Sequence, residues 1–188
     1  MIAVLSRMIL YFVGFKTLSL FARLFISGEI EEKSVLEKFK NKMNITRDIT
    51  LIITKSDSIS YGDIYSLFTP CIVLSKEDRL SFIIYHELAH IKQCHQTKTF
   101  VMFSILLGMQ ISIISMIFLY CVRTLSSLYF ENEADRIACE YCTKDEIIQA
   151  ISFLNQKEDY KESLFNHHPT IKSRLIKLKH YIRDNLKN

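Results

Sequence analysis

Two histidines and a set of acidic residues define the chemistry open to this chain. His86-Glu87-Leu88-Ala89-His90 follows an apolar run from Leu80 to Tyr85. On a helix, residues four apart share a face, so His86 and His90 present two imidazoles to one metal ion. Glu87 is adjacent to the first of them, where it can reach a water polarised by that metal and act as general base. Further on, Phe130-Glu131-Asn132-Glu133-Ala134-Asp135 places Glu131 and Asp135 four apart on another helical face. Glu131 is a candidate third ligand, and Asp135 can orient a ligand histidine through its second ring nitrogen. Glu133 is a rival ligand, but it points about 160° away from the Asp135 face at 100° per residue.

The elements that must position these groups are mostly helical, with a small β-sheet. Ile49 to Thr54 is β-branched and reads as a strand, Ser56 to Gly62 as a turn, and Pro70 to Leu74 as a second strand. A short sheet beside the metal helix can accept an extended peptide on its edge. Ser75-Lys76-Glu77-Asp78 has the form of a capping box, so the metal helix is expected to begin near Lys76. Glu29 to Met43 reads as an amphipathic helix, and Thr143 to Gln156 as another, with Thr143 and Glu146 as its box. His167-His168-Pro169-Thr170 opens a last helix that carries Arg174. Cys139 and Cys142 lie on a helix without partner ligands and read as packing residues.

Composition bounds the setting. The 188 residues suit one compact domain with appendages, here 1–28 and 29–188, the latter interrupted by an apolar hairpin at 99–123. Hydrophobic residues make up 49%, with only four Gly and two Pro, which suggests a membrane-associated helical protein. The net charge of +4 arises from interleaved charges, which argues against a nucleic-acid surface and for attraction to anionic lipid. Five unpatterned cysteines fit a reducing compartment better than a disulfide framework, and so a site on the cytoplasmic side of a cell membrane. Residues 2–26 are apolar but interrupted by Arg7, Lys16 and Arg23, and read as an N-terminal helix that spans or lies on the membrane.

Phe100 to Val122 is long enough to span, yet the candidate ligands on either side of it forbid a single crossing. Such a crossing would leave His90 and Glu131 on opposite faces. The nine steps from Val122 to Glu131 reach at most about 30 Å, and extended backbone cannot cross lipid unpaired. A helical hairpin turning near Gly108-Met109-Gln110 returns Glu131 to the level of His90 and reaches only one leaflet deep, with Lys98 and Arg123 at the headgroups.

Taken together, His86-Glu-x-x-His90 with a further His95, Glu131-x-x-Ala134-Asp135, and His168-Pro169-x-x-x-x-Arg174 resemble the HtpX and CAAX-prenyl-protease type of gluzincin metallopeptidase, metallopeptidase family 48. The resemblance covers about residues 45–180. It implies one zinc ion held by His86, His90 and Glu131, with Glu87 as general base and His168 stabilising the oxyanion. It also implies Asp135 and Arg174 as supporting residues, and a protein or peptide substrate cleaved at or near a membrane. His95 would be accessory, since on a continuous helix it lies about 140° round from His90. The segment before the metal helix lacks the Asn-Ala pair common in that family. Its Thr69-Pro70-Cys71-Ile72-Val73-Leu74 is closer to the β-lactam sensor-transducer peptidases, so a sensor or signalling module is the alternative.

Overall fold

The computed structural model describes residues 6, 29–30, 33–54, 61–62, 70–75, 80–108, 113–156 and 169–185. Its elements are β1 (Glu29–Ile30), α1 (Lys33–Lys42), β2 (Thr50–Thr54), β3 (Tyr61–Gly62), β4 (Cys71–Ser75), α2 (Ser81–Lys92), α3 (His95–Gly108), α4 (Ile113–Tyr141), α5 (Lys144–Gln156) and α6 (Ile171–Asn185). The fold is mainly helical with a small sheet. The N-terminal apolar segment, apart from Ser6, lies outside the described residues.

The sheet runs β1-β2-β4-β3. Its centre is a parallel pair, with Leu51 opposite Ile72 and Ile53 opposite Leu74, flanked by two short antiparallel edges. Alternation splits the strand side chains between two faces. Leu51, Ile53, Ile72 and Leu74 enter the main core, whereas Ile52, Cys71 and Val73 cluster on the other face. Tyr61 and Gly62, expected in a turn, form the edge strand β3.

Ser75 ends β4 and is almost wholly buried, so it belongs to the sheet and is not the cap of the metal helix. That helix, α2, starts instead at Ser81 after Leu80, whose extended backbone makes no side-chain cap. Tertiary burial supports it in place of a cap: Phe82, Ile84, Tyr85, Leu88, Ala89 and Ile91 are all in the core. The other helix starts follow their local signals. Thr143 and Glu146 exchange bonds, with Thr143 N–H donating to Oε2 of Glu146 at 2.7 Å and Glu146 N–H donating to Oγ1 of Thr143 at 3.3 Å. Thr170 caps α6 through its Oγ1, which accepts from the Ser173 N–H at 3.1 Å.

Phe100 to Val122 is not one helix. It is divided between α3 and α4, which run antiparallel. Met102 meets Ser126, and His95 stacks on Phe130 with ring centroids 4.4 Å apart. Among the described residues, no helix is long and apolar enough to cross a membrane. Beyond the hairpin, α4 continues into the core and packs against α2 along a seam of small residues. Ala89, Ala134 and Ala138 are each 0% exposed.

Candidate metal centre

His86 and His90 lie one turn apart on α2, and Glu131 faces them from α4. The three offer ligand atoms within 4.8 Å of one another, and they are the group of three among the described residues that could hold a metal ion. The two Nε2 atoms are 3.1 Å apart, and the Glu131 carboxylate lies 3.4 Å from the first and 3.5 Å from the second. Glu131 and Asp135 share a helical face with Ala134 and Ala138, so the acidic groups point where the small residues allow contact.

Each imidazole is held from behind. Asp135 Oδ1 accepts from the Nδ1–H of His86 at 2.8 Å. Arg174 of α6 fixes the carboxylate in turn, donating from Nε to Oδ2 at 2.9 Å and from Nη2 to Oδ1 at 2.6 Å. This two-pronged contact sets the plane of the acid and with it the ring of His86. Behind His90, Nδ1 lies 3.0 Å from Nδ1 of His95, whose Nε2 is 2.9 Å from Oε2 of Glu133.

The last contact departs from the sequence expectation, and backbone geometry explains it. α2 does not continue to His95. It ends at Lys92, and Cys94 takes a positive φ of 53°, with its N–H donating to the Ile91 carbonyl at 3.1 Å. This left-handed closure starts a new helix at His95 and turns that ring back onto His90. His95 is therefore outside the ligand group but in contact with it. Glu133, the rival ligand, faces away from Asp135 and pairs with His95. No residue in Gln93-Cys94 announces the break. A histidine five residues past His90 was visible, but its partner and direction were not.

Electrostatics reflect the convergence. Burial lowers the proton affinity of His86, but hydrogen bonds to Asp135 and Glu131 and the Asp135 charge outweigh it, pushing the ring up to about 10. Burial and the neighbouring His86 charge drive His90 down to about 3. The pair thus holds one proton over a wide pH range. Asp135 sits at about 2, because the charge of Arg174 and the bond from His86 overcome the cost of burial. The Cys139 and Cys142 thiols are pushed up to about 12, chiefly by burial, which suits packing and not nucleophilic chemistry.

These residues fit a metal. In the neutral ring, with Nδ1 of His86 donating to a carboxylate, Nε2 is the free lone pair, and it lies against Nε2 of His90. Two lone pairs 3.1 Å apart need a cation between them, either a proton or a metal. Two imidazoles and a carboxylate form a donor set suited to zinc. Glu87 is buried on α2 beside the first ligand, within electrostatic reach of Arg174. His168 lies outside the described residues.

The sequence profile of peptidase family M48 matches residues 62–182, well over half of the chain. The chain belongs to peptidase family M48. The match agrees with the resemblance carried by the three motifs. The crystal structure of S. mikatae Ste24p is similar in fold, with a TM-score of 0.61 at 18% identity. The match covers 93% of this chain and 58% of that one, so the M48 chain described here spans little more than half the length of that protein. Comparison with curated protein sequences gives no match.

Proposed function

We propose that this M48 chain is a zinc-dependent endopeptidase that cleaves membrane-associated proteins or peptides, with one zinc per chain held by His86, His90 and Glu131. The observation that carries the reading is the convergence of two imidazole Nε2 atoms, one ring buried and the other partly buried, and a carboxylate on one point, with each ring backed by its own partner. When bound, zinc supplies Lewis acidity to the scissile carbonyl and lowers the pKa of the attacking water. Glu87 accepts the proton of that water and passes it to the leaving amine. His168 donates a hydrogen bond to the oxyanion as it develops, as the resemblance implies. Arg174 and Asp135 hold His86 in orientation throughout. An extended substrate adds along the edge strand β3, the strand nearest the metal helix.

The hairpin of α3 and α4 supports a place at the lipid surface. Phe118, Leu125 and Tyr129 are 57%, 67% and 63% exposed. At 100° per residue they fall within about 40° of one another, forming an apolar stripe along α4. Lys98 and Arg123 of the same hairpin are also exposed, available to anionic headgroups. The unpatterned cysteine set and the charge of +4 support a cytoplasmic face.

The test is Glu87→Gln in the full-length chain in detergent micelles, with an unfolded protein such as casein as substrate. Zinc content is expected to stay near one per chain while cleavage falls at least about 100-fold. His86→Ala is expected to lose both. A Glu87→Gln chain that cleaves at the wild-type rate overturns the mechanism.

A further inference from the structure

The contacts behind His90 determine where its protons must sit. Glu133 Oε2 is 2.9 Å from Nε2 of His95. A carboxylate has no hydrogen to give, so His95 Nε2 carries the proton and donates it. A neutral imidazole has one N–H, which leaves His95 Nδ1 as a bare acceptor. His90 Nδ1, 3.0 Å away, must then be the donor in that contact. With its one proton on Nδ1, His90 presents an unprotonated Nε2 to the metal point.

We propose that Glu133 and His95 form a positioning relay that fixes the ring tautomer and direction of His90, and thereby the metal affinity of the site. The inference rests on the metal reading above and adds to it the role of Glu133 and of the His95 proton. Several features show that the relay is built into the fold. His95 is 3% exposed and its ring is stacked on Phe130 at an interplanar angle of 17°, so it cannot turn freely. The left-handed Cys94 exists at the position that aims it. Glu133 is two residues from Glu131 on α4, so the helix that supplies the third ligand also anchors the relay. The two ligand histidines are thus oriented by different devices. For His86 it is a carboxylate in direct contact, held by an arginine. For His90 it is a carboxylate acting through a second imidazole. In metal proteins, partners of this kind typically account for about 10- to 100-fold in affinity.

The experiment combines zinc affinity, measured by chelator competition on the full-length chain, with nitrogen NMR of the histidine rings in the metal-free protein. His95→Leu keeps apolar packing but removes the acceptor, and is expected to weaken zinc binding about 10- to 100-fold. His95→Asn places Oδ1 where the ring has Nδ1, and is expected to restore binding to within about fivefold of wild type, as an acceptor role requires and a packing role does not. Glu133→Ala, at a partly exposed position that tolerates truncation, is expected to lose about tenfold, and Glu133→Gln to keep most of the affinity. In the wild-type spectrum His95 is expected to carry its proton on Nε2. Zinc affinity unchanged in both His95→Leu and Glu133→Ala, or a His95 protonated on Nδ1, overturns the relay while leaving the metal site standing. A wild-type chain that takes up no zinc overturns the metal site and the relay with it.

Discussion

Asp135 joins three elements through one side chain. It accepts from His86 on α2 and from Arg174 on α6 while sitting on α4, at 6% side-chain exposure. Asp135→Asn would leave a partly buried guanidinium without its counter-charge, a change that costs on the order of 2 kcal/mol. Thermal unfolding of the metal-free variant is expected to show that loss, and zinc affinity to fall with it; an unchanged melting temperature would contradict the pairing. The histidines make a separate prediction about pH. His86, at about 10 against 6.5 unfolded, stabilises the fold fully below pH 6.5, and the contribution is lost as pH rises toward 10. His90, at about 3, contributes above pH 6.5, and that is lost as pH falls toward 3. The two slopes meet, so the pair's contribution in the metal-free chain peaks near pH 6.5. Urea midpoints with chelator present should be lower at both pH 5 and pH 8, and with zinc bound the decline above 6.5 should vanish. A metal-free midpoint higher at pH 8 than at 6.5 would refute the assignment. That His86 faces with His90, and Glu131 with Asp135, was legible because i,i+4 spacing dictates a shared face. The pairing of His95 with His90 was not, because it depends on a backbone reversal with no residue signature.

At the level of elements, that reversal is the most informative local feature. A non-glycine residue in the left-handed region costs about 1–2 kcal/mol, and Cys94 adopts it at φ 53°. Cys94→Gly would relieve this strain, offset in part by the greater freedom of glycine in the unfolded chain, for a net gain on the order of 0.5–1 kcal/mol. Because the same closure aims His95, zinc affinity should be unchanged. Denaturant unfolding and chelator competition check the two halves, and a destabilised Cys94→Gly would mean that Cys94 is held by more than its backbone. The helix α1 ends in the same way at Asn44, φ 56°, where an asparagine does give a readable signal. Capping boxes were reliable where the box is free to form, as at Thr143. Ser75 misled because strand pairing with Thr54 claims it first. Its hydroxyl-and-acid pattern is the same; what differs is the sheet it belongs to.

For the whole molecule, the prediction concerns lipid. Three large side chains of the α4 stripe, each more than half exposed, together offer on the order of 2 kcal/mol of transferable apolar surface. Replacing Phe118, Leu125 and Tyr129 together by Ser should lower partition into vesicles containing anionic lipid by about tenfold or more, with zinc content unchanged. Equal flotation of the variant and the wild type would remove the stripe from the lipid contact. The mainly helical class and the central strand pair were readable from composition and periodicity. The small-residue seam of Ala89, Ala134 and Ala138 was not, because alanine carries no sign of what it lies against. The continuity of α4 also restricts how the chain can change length. One unbroken helix of 29 residues, about 43 Å long, carries the apolar stripe toward one end and Glu131, Glu133 and Asp135 toward the other. Inserting a single residue between Tyr129 and Glu131 would swing all three acids by about 100° relative to the stripe. Length polymorphism in this protein should therefore be tolerated between α3 and α4, where it rephases nothing, and excluded from the stretch of α4 that joins the stripe to the acids.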